Sequence, residues 1–220
     1  MSVTEQKVFI IGLPRTATTS TSIATLSLGF KTAHTAYTQK AMQEAQVISD
    51  APIFCDYQQL DNQYPGAKFI YLSREFDKWL PSIRQLLERM YPNLQRTDGG
   101  SNPIMKRCFN HTFSPLTLEN IAKDAFLLDC YNRHYNEAIA YFKGREQDLL
   151  TIDVSKVGSF KQLADFLGVT GIDPQQTFEH VNIGKKVAFW KQIKHPLKVE
   201  STNNGRIDSV KENRQSKSAR

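Results

Sequence analysis

Apolar positions along the chain alternate between two rhythms. Lys7 to Leu13 (KVFIIGL) is short, β-branched and almost continuously apolar, the pattern of a strand covered on both faces of a parallel sheet. Thr18 to Gly29 carries Ile23, Leu26 and Leu28 at helical spacing and stops at a glycine. Phe30 to His34 reads as a second short strand. Thr38 to Ser49 reads as a helix with Ala41, Met42, Ala45 and Ile48 inward, and Tyr57 to Tyr64 as a further helix stopped by Pro65 and Gly66. Lys68 to Ser73 (KFIYLS) is another apolar strand. Asp77 then caps a helix with Leu80, Ile83, Leu87 and Met90 on one face and Pro81 in its first turn. Residues 92–116, rich in Pro, Gly, Asn and Ser, read as a long binding loop or lid. Thr117 to Phe142 reads as one long helix, Leu149 to Val154 (LLTIDV) as a strand, and Ser159 to Leu167 as a helix stopped by Gly168.

Strands alternating with helices predict right-handed βαβ units and an α/β fold, with one parallel β-sheet flanked by helices in three layers. The domain is expected over residues 1–198. The remaining stretch, 199–220, is polar without an apolar face and is expected to be a disordered tail. At 220 residues and 40% hydrophobic content, one sizeable core is the natural outcome.

Charge changes this picture less than its total suggests. The formal net charge is +6, yet residues 184–220 hold ten basic and three acidic side chains, leaving 1–183 with eighteen basic and nineteen acidic. The nearly neutral body calls for no nucleic-acid partner, so anion recognition there must rest on a few placed residues. The longest apolar runs fall far short of the roughly 20 residues a membrane span needs. The N-terminus has no signal-peptide pattern, and a cytoplasmic location is expected, without membrane attachment. Cys55, Cys108 and Cys130 are odd in number and never in C-x-x-C spacing, and the five histidines show no ligand pairing, so no metal site is expected.

The turn after the first strand reads Gly12-Leu13-Pro14-Arg15-Thr16-Ala17-Thr18-Thr19-Ser20. A strand, a tight turn and a helix N-terminus present free backbone N–H groups and the positive end of a helix dipole, an anion cradle to which the hydroxyls add donors. Against the pattern G-x-x-x-x-G-K-[ST], Ala17 replaces the second glycine and Thr18 the lysine, while Arg15 brings a cation into the loop. The shift disfavours an ATP or GTP phosphohydrolase and favours another anionic cofactor. A second anion site is expected where the strand ending Tyr71-Leu72-Ser73 runs into Arg74, with Ser82 eight residues on, because neighbouring strands of such a sheet open on one crevice.

These residues carry a family likeness. The segment IIGLPRTATTS resembles the 5′-phosphosulfate loop of sulfotransferases, and YLSREFDKWLPS resembles their 3′-phosphate motif. The stretch SDAPIFCDYQQLDNQYPGAKFIYLSREFDKWLPSI, and LLTIDVSKVGSFKQLADFLGV further on, are similar to the bacterial sulfotransferase family, covering roughly residues 5–170 in order. The resemblance implies a P-loop-like phosphosulfate loop and metal-free transfer of a sulfuryl group from 3′-phosphoadenosine 5′-phosphosulfate (PAPS), leaving adenosine 3′,5′-bisphosphate. Arg15, Thr16, Ala17, Thr18, Thr19 and Ser20 match the first motif, and Arg74 and Ser82 the second. Arg15 stands where many sulfotransferases have lysine; since arginine does not give up its proton, its role is electrostatic.

An acceptor hydroxyl or amine must lose its proton, so a carboxylate or imidazole is expected near the sulfate. Asp50, at a position that resembles the family's acidic residue, is the first candidate, His34 the second and Asp56 the third. Asn182, Gly184, Lys185, Lys186, Trp190 and Lys191 loosely resemble a loop that closes over the 3′-phosphate in cytosolic sulfotransferases. A kinase-like nucleotide-binding enzyme and a non-catalytic binder of the bisphosphate are the alternatives. The expected acceptor is a small molecule of unspecified identity, and the oligomeric state is left open.

Overall fold

The computed structural model of the protein describes residues 6–178 and 190–208. Five parallel strands form one sheet in the order β2-β3-β1-β4-β5, with β1 (Val8–Ile10) central, β2 Thr32–His34, β3 Val47–Ser49, β4 Lys68–Leu72 and β5 Leu149–Ile152. β1 pairs with β3 through Ile10 opposite Ser49 and with β4 through Ile10 opposite Ile70. The chain builds out from one side of β1 and then crosses to the other, so the crevice characteristic of open α/β sheets lies at the carboxyl end of β1.

The unbroken apolar runs follow from burial on both faces. Phe9, Phe69 and Tyr71 point to the face covered by α3 (Ile53–Gln63) and α7 (Asp124–Tyr141), meeting Tyr57, Leu60 and Ala138. Val8, Ile10, Ile70 and Leu72 point to the opposite face, covered by α1 (Thr18–Ser27) and α8 (Ser159–Phe166) through Ala24, Phe160 and Leu163. A third cluster joins Leu13 and Ala51 to α4 (Phe76–Gln95), α5 (Pro103–Thr112) and α6 (Leu118–Ile121) through Trp79, Ile83, Cys108 and Ile121. Among the described residues no helix is long and apolar enough to cross a membrane.

Several expected boundaries move. The helix expected over Thr38–Ser49 is two elements: α2 (Gln39–Glu44), capped by the Thr38 side chain on the Ala41 amide, and then strand β3. Val47 and Ile48 have no helical future because β1 and β2 offer them hydrogen-bond partners on both sides. α3 starts at Ile53 rather than Tyr57. α4 starts at Phe76, so Asp77 lies in its first turn rather than at its cap, and Pro81 lies beyond that turn. The expected loop 92–116 is largely helical, as the end of α4 and the whole of α5, with Asn102 capping the Met105 amide and Pro103 pre-shaped for the first position. The expected long helix breaks at Ala122 and Lys123, where the Thr117 side chain caps a separate short α6.

The segment expected to be a tail from 199 is packed as far as the described residues extend. Val199 is buried and its amide bonds the Thr32 carbonyl at 2.9 Å; Tyr37 N–H donates to the Ser201 carbonyl at 2.9 Å, and the Asp208 carboxylate accepts from the Gln39 amide at 2.5 Å. Two apolar residues, Val199 and Ile207, and backbone pairing beside edge strand β2 suffice for this, which no hydrophobic period announces. Residues 209–220 lie outside the described residues.

Candidate active site

The loop after β1 is shaped by close packing and unusual backbone. A Cβ on Gly12 would stand 2.7 Å from the Leu72 Cβ and 2.7 Å from its carbonyl oxygen, so only glycine lets the loop lie against the end of β4. Arg15 and Ala17 have φ of 73° and 75°, in the left-handed region that favours glycine. Ala17 therefore keeps the conformation of the glycine expected at its position. Thr16 turns inward, its hydroxyl donating to the Leu13 carbonyl at 2.6 Å, and closes the turn instead of facing a ligand.

This arrangement leaves the start of α1 open. Ala17 is its N-cap without a side-chain cap, and the first helical bond runs from the Thr21 amide to the Ala17 carbonyl at 3.0 Å. The amides of Thr18, Thr19 and Ser20 are the orphan donors that every helix start presents, here at the carboxyl end of the sheet's central strand. They suit an anion of phosphate or sulfate size.

The two arginines meet at this loop. Arg15 Nε donates to Ser82 Oγ at 2.7 Å, and Arg74 Nη1 donates to the Arg15 carbonyl at 2.7 Å. Arg15 thus ties the first motif to both residues of the second. Burial, with Arg74 and Arg89 nearby, draws the Arg15 pKa down, while Asp50 opposes that shift. Two aromatic residues fix the geometry: the fully buried Trp79 donates from Nε1 to the Pro14 carbonyl at 2.9 Å, and the Tyr131 hydroxyl accepts from the Arg74 amide at 2.9 Å and donates to the Arg74 carbonyl at 3.0 Å. Tyr131 lies on α7, and nothing in the sequence tied it to Arg74; Trp79, five positions after Arg74, was at least in the motif.

His34 ends β2 and Asp50 follows β3, so adjacent strands deliver them side by side: His34 Nε2 is 3.5 Å from Asp50 Oδ2. The same nitrogen is 3.0 Å from Thr19 Oγ1 and 3.3 Å from Thr18 Oγ1, placing the pair directly against the anion cradle. Asp50 has φ 62°, its Oδ1 accepts the Ala51 amide at 2.8 Å, and its carbonyl accepts the Ile53 amide at 2.6 Å, which fixes the carboxylate. Burial pulls the His34 pKa down, with Asp50 opposing, which favours the neutral imidazole. The Trp190 ring stacks on His34 with centroids 5.7 Å apart, and Ser201 Oγ holds the His34 carbonyl at 2.9 Å. Ser201 was not expected at the site, and Trp190 only within the segment that resembles a loop over the 3′-phosphate, not against His34.

Asp56, the third candidate, is held away from the cradle by a two-pronged ion pair with Arg107 at 2.7 and 2.6 Å and sits in the first turn of α3. Asn182, Gly184, Lys185 and Lys186 lie outside the described residues. Among the described residues no cluster of three or more His, Cys, Asp or Glu has the arrangement to hold a metal ion.

A parallel α/β sheet sets an uncapped helix start and Arg15 after β1 beside Arg74 after β4, an arrangement suited to an anion. A sulfotransferase domain family model matches residues 34–187, more than half of the chain, so the chain belongs to the sulfotransferase family and is a transferase. The matched span takes in His34, Asp50, Arg74 and Ser82; the loop from Gly12 to Ser20 precedes it and rests on its own geometry. No curated protein matches the chain.

Proposed function

We propose that the protein moves a sulfuryl group from PAPS to a hydroxyl or amine of a small acceptor molecule. The observation that carries this reading is the hydrogen-bonded chain Arg74, Arg15, Ser82 at the open start of α1. A donor with anionic groups at both ends of one adenosine needs two anion sites on one surface. The residues present fit that need. The amides of Thr18, Thr19 and Ser20 with Arg15 would hold the phosphosulfate, and Arg74 with Ser82 the 3′-phosphate. PAPS supplies an activated sulfuryl group and an anionic leaving group.

Arg15 keeps its proton throughout, so it stabilises negative charge building on the departing oxygen and is not a general acid. Asp50 takes the acceptor's proton: its carboxylate is held by the Ala51 amide and faces the cradle beside a neutral His34. His34 keeps the Thr18 and Thr19 hydroxyls and the Asp50 carboxylate in register through one nitrogen.

Calorimetric titration with adenosine 3′,5′-bisphosphate, with AMP and with ATP plus magnesium as controls, tests the reading. The bisphosphate is expected to bind at least tenfold tighter than AMP, the scale of one charge-assisted contact, and Arg74→Ala to erase the difference. Equal affinity for AMP and the bisphosphate in the unaltered protein would sink it.

A further inference from the structure

Away from the anion cradle, α3 and α5 bring two cysteines together. Cys108 is fully buried among Tyr37, Phe54, Phe109 and their neighbours, and Cys55 packs against the same cluster from its partly exposed edge. Both side chains belong to one packed cluster between α3 and α5. The residue following Cys55, Asp56, is gripped by the residue preceding Cys108, Arg107, through two N–H bonds of 2.7 and 2.6 Å, which fixes the register of the helices at the thiols. Arg107 Nη1 also stands 3.8 Å from the Cys55 sulfur. The third cysteine, Cys130, lies on α7 against Arg133 and takes no part.

The two thiols differ as a reactive and a resolving cysteine do. The neighbouring Cys108 side chain, helped by the Arg107 guanidinium, holds the Cys55 thiol below its usual range despite burial and the Asp56 carboxylate. The Cys55 side chain, together with burial, pushes the Cys108 thiol up. Cys55 is thus the partly exposed, thiolate-prone partner, and Cys108 the proton-bearing one.

We propose that Cys55 and Cys108 form an oxidation site at which a hydroperoxide closes a disulfide, stapling α5 to α3. The Cys55 thiolate attacks the peroxide oxygen: an S–O bond forms, the O–O bond breaks, and the second oxygen leaves as water or an alcohol after taking a proton. Cys55 is now a sulfenic acid. The Cys108 sulfur then attacks the Cys55 sulfur; an S–S bond forms, the S–O bond breaks, and water leaves with the Cys108 proton. Two sulfurs are together oxidised by two electrons and the peroxide is reduced. The consequence is local: the helix capped by Asn102 and carrying Phe109 becomes covalently tied to the helix that follows Asp50.

The test uses the full chain, reduced, freed of reductant and treated with one equivalent of hydrogen peroxide. The intact mass is expected to fall by two hydrogens, free thiols to drop from three to one, peptide mapping to find Cys55 joined to Cys108 with Cys130 free, and dithiothreitol to reverse all of it. Cys108→Ser is expected to leave a sulfenic acid at Cys55 that dimedone traps, and Cys55→Ser to abolish the reaction. The map of the unaltered protein decides even where a variant fails to fold. Three free thiols after treatment, a bond involving Cys130, or Cys55 driven to sulfinic acid with Cys108 still free would each overturn the proposal. None of these readouts depends on sulfuryl transfer.

Discussion

Arg15 Nε donates to Ser82 Oγ across 2.7 Å, although 67 positions separate the two residues in the chain. The cation of the first loop and the hydroxyl of the helix after β4 are therefore one unit, fixed further by Arg74 on the Arg15 carbonyl and Trp79 on the Pro14 carbonyl.

Because they share a bond, Arg15 and Ser82 are expected to be energetically coupled. Arg15→Ala should lower kcat by on the order of 10²–10³, as removal of a transition-state donor does elsewhere. Ser82→Ala should weaken bisphosphate binding by roughly tenfold. In a double-mutant cycle on bisphosphate affinity the two are expected to be non-additive by about 1 kcal/mol; strict additivity would mean the hydrogen bond is idle in the complex.

Asp50→Asn preserves the hydrogen bond from the Ala51 amide and the shape of the turn while removing the basic carboxylate. The expected result is a fall in kcat of about 10²–10⁴ with bisphosphate affinity unchanged. His34→Gln should cost less and act partly through displaced Thr18 and Thr19 hydroxyls. Full turnover in both variants would take the proton-acceptor role away from this pair.

Gly12→Ala introduces a methyl group 2.7 Å from both Cβ and carbonyl oxygen of Leu72. Either the loop or β4 must move, with an expected destabilisation of about 1–3 kcal/mol in denaturant unfolding. Bisphosphate binding should weaken as well, since Leu72 lies two residues from Arg74. Unchanged stability would show that the contact relaxes at no cost.

His134 is buried between the Phe54 carbonyl, 2.7 Å from Nε2, and the Tyr71 hydroxyl, 3.0 Å from Nδ1, and burial lowers its pKa from 6.5 to about 4. A depressed histidine pKa means the unfolded chain binds the extra proton first. Stability is therefore expected to be fully present above pH 6.5 and to fall as pH drops from there toward 4, by about 3 kcal/mol for this residue. His34, shifted the same way, steepens the fall. Thermal unfolding across this range, with His134→Gln as the flatter comparison, checks the sign; a stability that rose on acidification would refute it.

Much of this was legible from the chain. The runs KVFII and KFIYL announce strands buried on both faces because their apolar residues do not alternate, and β1 and β4 are indeed central neighbours. The order of strand, hydroxyl-rich turn and helix marks an anion cradle from local rules alone. Val47 to Ser49 was hidden inside an apparent helical pattern, since three residues carry too little periodicity and their partners come from β1 and β2. The helix α5 was masked by the Pro, Gly and Asn around it, residues that also serve as caps.

What the sequence by itself determined is the set of local devices: a glycine where the loop meets β4, an uncapped helix start, a basic residue in each motif, and strand runs that require a two-sided sheet. Only the tertiary structure decided which of these devices meet. Asp50 and Asp56, six positions apart, are alike in sequence; strand pairing sets Asp50 beside His34 at 3.5 Å, while helix packing gives Asp56 to Arg107 at 2.6 Å. Tyr131, Trp190 and Ser201 come to the site from distant parts of the chain by packing and backbone pairing, forces that leave no periodic trace at the residues they bring together.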